Sequence, residues 1–244
     1  MFAGPNGSGK STLYERLRED SVIHTEIYVA ADRIEAEIKK RERFVFNAYH
    51  VKIAQDEFIS EASTSSLLAK HPNKNDVLKA LQIKSGILRI KNSDFVDSYI
   101  ASFIASYLAK KLLESGQSFC FETVMSHPSK IALLKEAKRL GFKTYLYFVF
   151  TDNPNTNIER VDLRVKADGH GVAKEKIRTR YKRSLNALPD AVKIADESFL
   201  VDNSINFEVA AEIEKGKKII ARKPGYDFQK KLPAFYKVFK RIIK

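Results

Sequence analysis

The chain has 244 residues, of which 44% are hydrophobic and 30% charged, and it carries a net charge of +13. That length can bury a full core as one large α/β domain with or without an appendage, and the composition excludes a disordered polymer. There is no apolar run of about 18 residues, so a helical membrane span is excluded, and a basic balance suits either a polyanionic partner or a solubilising basic tail.

In chain order, "MFA" reads as the stub of a strand, "GPNGSGKS" as a glycine-rich loop, and "STLYERLRED" as the helix after it, with Leu13, Tyr14 and Leu17 on its apolar stripe. A central parallel strand ordinarily needs about five residues, so the first strand is expected to be short between longer neighbours. "EIYVAAD" reads as a second strand ending in an acid, and "RIEAEIKKRERF" has helical spacing at Ile34 and Ile38. Residues from about 44 to about 93 read as an inserted region, helical in pieces with a small β-excursion. "FVDSYIASFIASYLAKKLLESG" is a strong helix, with Tyr99, Phe103, Tyr107 and Leu108 on its stripe and Gly116 at its end. "QSFCFET" is apolar on both faces, as a buried parallel strand should be. A helix over "HPSKIALLKEAKRLGF", a strand "KTYLYFVFTD", and helices in "NPNTNIERVDLRVKAD" and "EKIRTRYKRSLNALPDAVKIAD" follow, the last two separated by "GHGVAK". "ESFLVDNS" is a fifth strand, "FEVAAEIEKGKKIIARK" a hairpin turning at Lys215-Gly216, and the tail after Pro224 a basic amphipathic helix.

Strands alternating with helices predict an α/β fold, a parallel sheet of about five strands with helices on both faces. The expected organisation is one α/β domain over residues 1–204, with a helical insertion at about 44–93 and a two-helix segment at about 160–183, and a C-terminal hairpin and basic helix extension over 205–244. Ligands of such sheets bind at the carboxyl ends of the strands, so residues just after strands are the functional candidates.

Gly4, Gly9, Lys10 and Ser11 complete the spacing G-x-x-x-x-G-K-[ST], and the loop has the strand before it and the helix after it that the motif requires. Glycines let backbone N–H groups turn inward as an anion nest, and the helix start adds its positive dipole end. The loop residues Gly4, Pro5, Asn6, Gly7, Ser8, Gly9, Lys10, Ser11 and Thr12 are therefore assigned to a nucleoside triphosphate, with Lys10 on the β- and γ-phosphates and the Ser11 hydroxyl on Mg²⁺. Transport and motor ATPases usually pair two acids after a strand. Here single acids follow two strands, Asp32 and Glu122, as a kinase needs for orienting an acceptor hydroxyl and holding substrate or a metal-bound water. Asp32 also suits a helix N-cap, and Thr123 stands beside Glu122.

Arg160 and Arg164 share a helix face, and "KIRTRYKRSL" carries Arg178, Arg180, Lys182 and Arg183 beside a stripe of Ile177, Tyr181, Leu185 and Leu188. Two arginine-bearing helices joined by a glycine-containing loop describe either a lid that closes over ATP or a solvated basic pair. The five histidines show no metal-ligand spacing, so no zinc site is expected. Cys120, the sole cysteine, has no internal disulfide partner and reads as a buried small hydrophobe. With no leader-like stretch before the loop, a reducing cytoplasmic location is expected.

The pieces "FAGPNGSGKSTL", "AADRI", "FCFETVMSHPSK", "GFKTYLYFVFTDNP", "IERVDLRVKADGHGV", "IRTRYKRSLNAL" and "FLVDNS" together resemble the zeta toxin family of P-loop kinases, in order, over residues 1 to about 204. The resemblance implies a toxin of a toxin–antitoxin system that uses ATP and Mg²⁺ to phosphorylate the sugar of UDP-N-acetylglucosamine. It implies Asp32 as the base, Glu122 and Thr123 as substrate contacts, and Arg160 with either Arg164 or Arg180 on the phosphates. Two departures fall on the acceptor side: Ala30 and Ala31 precede the base where the family often has Asn, and Glu122-Thr123-Val124 stands for Glu-Gly-Thr. An antitoxin is the implied protein partner. A polynucleotide 5′-hydroxyl kinase and a nucleic-acid- or partner-binding ATPase switch are the other readings of the same loop and charge.

Overall fold

Apolar runs bounded by glycine or acids become short strands in this chain, and stripes of period 3.6 become helices. The computed structural model describes residues 1–90, 93–167 and 171–243. They form two compact units, residues 1–24 with 122–244, and residues 25–121.

The first unit starts with β1 (Phe2–Ala3) and α1 (Lys10–Glu19). The second contains β2 (Tyr28–Ala30), α2 (Ala31–Arg41), β3 (Arg43–Val45), α3 (Gln55–Thr64), α4 (Lys74–Ala80), β4 (Leu81–Lys84), β5 (Ile87–Ile90) and α5 (Ser98–Glu114). β6 (Cys120–Thr123) leads back into the first unit, which continues with α6 (Ser129–Arg139), β7 (Tyr145–Phe150), α7 (Pro154–Lys166) and α8 (Lys174–Ile194). It ends with β8 (Glu197–Asp202), β9 (Glu208–Glu214), β10 (Lys218–Arg222), α9 (Phe228–Lys231) and α10 (Pro233–Ile243).

The main sheet runs β10-β9-β8-β7-β1-β6-β2, seven strands rather than about five. β1 pairs in parallel with β6 and β7, and β7 with β8. The two-residue β1 is flanked by strands of four and six residues. At the β2 end, inside the second unit, the Cys120 N–H donates to the Ile27 carbonyl at 2.8 Å. The extra strands are β9 and β10, added antiparallel to β8. An antiparallel neighbour needs only a short connection, and this hairpin covers what would otherwise be the bare edge of β8. Ala210, Ala211 and Ile213 of β9 are buried in the same core as Leu146, Phe148 and Phe150 of β7. Phe235, Phe239 and Ile243 of α10 enter that core together with Leu188, Ala191 and Val192 of α8. The amphipathic tail is thus part of the packing, and its aromatic residues face inward.

In the second unit the inserted region is more β than its sequence suggests. β3, β5 and β4 make a three-stranded antiparallel sheet, and α2 stops at Arg41 instead of continuing to Phe44. Glu42 takes a left-handed φ of 55°, which frees Phe44 to pack fully buried against Phe46. Phe46, Phe58, Phe103 and Tyr107 extend the aromatic cluster, which buries the stripe of α5. The Asp97 carboxylate caps α5 by accepting the Tyr99 and Ile100 N–H groups. His71 is buried, with one ring nitrogen against the Phe95 carbonyl and the other accepting from Asn73 N–H. Cys120 is buried, and burial pushes its thiol pKa up. Among the described residues no helix is long and apolar enough to cross a membrane.

Candidate functional site: a phosphate loop braced by two asparagines

The register of β1 sets the site. Phe2 lies opposite Glu122 and Ala3 opposite Thr123, so the acid one residue before the end of β6 arrives beside the loop that leaves β1. The chain then turns through residues that no side chain could replace. Gly4 has φ 141°, and a Cβ there would stand 1.9 Å from the Val149 carbonyl oxygen. Gly9 has φ 99°, with Asn203 Nδ2 at 2.5 Å from an added Cβ. Gly9 is also the N-cap of α1 and offers no side chain to its first turn. The first-turn N–H groups are therefore left to an anion, with the helix dipole behind them.

Two cationic or hydroxyl groups meet one carboxylate here. Lys10 is only 6% exposed. Its Nζ donates to the Pro5 carbonyl at 2.9 Å and lies 3.9 Å from Glu122 Oε1. Ser11 Oγ donates to Glu122 Oε2 at 2.8 Å. Sequence reasoning placed Glu122 on the acceptor side, with the alternative of a metal-bound water; the geometry sets it against the two residues assigned to phosphate and metal. Thr123 is buried, and its Oγ1 accepts the Met125 N–H at 2.9 Å, tying it to the turn after β6, where Met125 has a left-handed φ of 55°.

The loop is held from outside by two residues that sequence reasoning did not single out. Asn157 of α7 donates from Nδ2 to the Asn6 carbonyl at 2.6 Å. Asn203, next after β8, donates from Nδ2 to the Ser8 carbonyl at 2.8 Å. Thr151 Oγ1 donates to Asn157 Oδ1, and the Tyr181 hydroxyl donates to the Thr151 carbonyl at 2.6 Å. Burial first, and then the charges of Asp152 and Asp202, push Tyr181 up to about 12, so it remains a donor. Asn203 was legible in principle, because it directly follows a parallel strand. Asn157 gave no signal, because it is a helical residue that becomes functional only by where its helix docks.

The β8–β9 corner is itself pinned. Asp202 accepts the Ser204 N–H at 2.8 Å, the Tyr226 hydroxyl at 2.6 Å and Lys231 Nζ at 2.6 Å. Burial alone would raise the Asp202 pKa, but the bonds from Lys231, Ser204 and Tyr226 outweigh it and hold it below the usual carboxylate range.

Arg160 of α7 donates from Nη2 to the Ser204 carbonyl at 3.4 Å, while its Nη1 is buried with no hydrogen-bond partner. Asn6 Oδ1 and Ser8 Oγ, both in the loop, are buried in the same condition. A buried guanidinium N–H awaiting an acceptor fits a phosphate-bearing ligand. Arg164 is exposed and Arg180 half-buried, on α7 and α8. Those helices share a small core of Ile158, Val161 and Ile177, with Val172 packed on it. Asp168, Gly169 and His170, at the centre of the expected lid loop, lie outside the described residues. Asp32 belongs to the second unit, where β2 ends at Ala30 and Asp32 stands exposed in the first turn of α2, not at its cap.

A parallel sheet with this loop between its first strand and first helix defines a P-loop α/β fold. Solved structures agree on the fold. A chain of the crystal structure of AvrRxo1-ORF1:AvrRxo1-ORF2 with sulphate ions matches with a TM-score of 0.55 and 13% identity, over 99% of this chain and 62% of that one. The same complex with ATP matches equally, at TM-score 0.55 and 13% identity over 99% and 62%. In sequence, an uncharacterized protein of Haemophilus influenzae Rd is 33% identical over 63 residues, which are 26% of this chain and 45% of that protein. No family model matches the chain.

Proposed function

We propose that the chain is an ATP-dependent phosphotransferase of the zeta toxin type, moving the γ-phosphate of ATP to a hydroxyl of a nucleotide sugar such as UDP-N-acetylglucosamine. The observation that carries this reading is the convergence of Lys10 Nζ and Ser11 Oγ on the Glu122 carboxylate, 3.9 and 2.8 Å away. The ATP held by the structurally similar AvrRxo1-ORF1:AvrRxo1-ORF2 complex supports it.

In this reading the loop N–H groups, the first turn of α1, and Lys10 bind the β- and γ-phosphates. Ser11 would hold Mg²⁺, which would supply positive charge to neutralise the phosphates. Glu122 accepts the hydrogen bond of Ser11 or of a water beside it, keeping an anion against the cationic corner. Arg160 turns its buried Nη1 toward phosphate, and Arg164 or Arg180 adds positive charge as the transferred group departs. Asp32 takes the proton of the acceptor hydroxyl, and Thr123 with the β6–α6 turn shapes the acceptor side. A protein antitoxin is the partner this class would have.

The test is incubation with ATP, Mg²⁺ and a panel of UDP-sugars, nucleosides and 5′-hydroxyl oligonucleotides, with products read by mass spectrometry. A phosphorylated UDP-sugar, absent with Lys10→Ala and with Asp32→Ala, is the expected result. Product undiminished by Asp32→Ala overturns its role as base. ATP consumption with no phosphorylated acceptor overturns the transferase.

A further inference from the structure

Charge is spread unevenly along the chain. Residues 215–244 contain eleven lysines and arginines and one acid, Asp227, and so supply +10 of the net +13. On several other helices cations stand beside carboxylates: Arg18 with Glu15, Lys39 with Glu35, Lys110 with Glu61 and Glu114, Arg139 with Glu136. α10 holds no carboxylate. Its Lys237, Lys240 and Arg241 are exposed at i, i+3 and i+4, and among the described residues none of the three has an ion pair. Like charges at that spacing repel. The helix is nevertheless fixed, because Phe235, Phe239 and Ile243 on its other side lie in the main core.

We propose that the exposed stripe of α10, extended by the exposed Lys230, binds the phosphate backbone of duplex nucleic acid without reading its sequence. A rigid, uncompensated row of cations gains most from a linear polyanion that releases its counterions on contact. Lysines act as point charges on phosphate and carry no base preference. A bilayer is the poorer partner, since an interfacial helix binds by sinking its apolar face, and here that face is core. Single strands gain nothing extra either. Phe228, Phe235 and Phe239 are buried and the Tyr226 hydroxyl is bonded to Asp202, so these rings are committed inward and form no stacking platform.

The test is fluorescence anisotropy of a labelled duplex of about 20 base pairs titrated with the full chain at several salt concentrations. With three phosphates contacted, the log–log salt slope is about −3, an affinity loss of roughly 40-fold between 50 and 200 mM. Lys237→Glu/Lys240→Glu/Arg241→Glu is expected to weaken binding at least about tenfold and flatten the slope by about 3. Its melting temperature and nucleotide binding stay those of the wild type, and the corresponding triple alanine variant falls between the two in duplex affinity. Four results overturn the proposal: no duplex binding, binding unchanged by charge reversal, tighter binding to oligo-dT or to phosphatidylserine vesicles, and displacement of the duplex by polyglutamate at lower concentration than by unlabelled duplex. None of these readouts depends on phosphoryl transfer.

Discussion

The phosphate loop and the C-terminal helix are both cationic parts of the first unit, and they hold their charge in opposite ways. At the loop, Lys10 is buried and satisfied by the Pro5 carbonyl with Glu122 close by, while asparagines from two distant segments clamp the backbone. On α10 the cations are exposed, and only the apolar side of the helix is held. A buried charge must be matched atom by atom because desolvation is costly. An exposed one is cheap to present and weak in any single contact. The loop can therefore discriminate a ligand in fine detail, whereas the helix can only sum over many weak contacts.

Substitutions separate the two designs by the size of their effects. The largest is expected at the apolar anchor of α10: Phe235→Ala should cost about 3–5 kcal/mol in urea unfolding by opening a cavity in the main core. Lys10→Ala should leave the fold intact yet lower the rate of phosphoryl transfer by about 100- to 1,000-fold, seen in steady-state kinetics.

Lys130 of α6 tests burial without ligand. Desolvation lowers its pKa to about 8. Between that value and the unfolded value of about 10.4 the unfolded chain binds more protons, so stability rises with pH across this window, by about 3 kcal/mol, and is lowest below it. Lys130→Met should abolish that slope in melting curves from pH 8 to 10.5; an unchanged slope would assign it to other groups.

Asn203→Ala leaves the Ser8 carbonyl without its donor and should cost about 1–3 kcal/mol, appearing as weaker ATP binding by calorimetry. Smallest of all is Lys240→Ala, expected within about 0.5 kcal/mol in unfolding, since the side chain is exposed and has no ion pair among the described residues. A large effect there would erase the contrast between the two regions.

The legible parts of this molecule were those with local causes. The loop spacing from Gly4 to Ser11, the Gly116 stop of α5, the Lys215-Gly216 turn and the buried parallel strands all depend on neighbours within a few residues. The inserted region was less legible because β3 and β5 pair across some forty residues, and Phe44 leaves its helical run to reach the aromatic cluster. The hairpin β9–β10 was visible as a hairpin, but its place beside β8 was not, because pairing partners are chosen by which edge is open.

By itself, the sequence determined that a loop of phosphate-binding spacing follows a strand stub, that single acids stand within two residues of the ends of two later strands, and that the tail is basic and amphipathic. These are patterns of residue type at short spacing, where backbone geometry leaves few choices. Only the tertiary structure decided that Glu122 meets Lys10 and Ser11, that Asn157 and Asn203 carry the loop, and that the aromatic residues of α10 are spent on the core so that its charges face solvent. The contacts of Glu122, Asn157 and Asn203 join residues more than one hundred positions apart, and α10 docks on α8, itself distant in the chain; such contacts are set by packing the whole sheet and its helices at once.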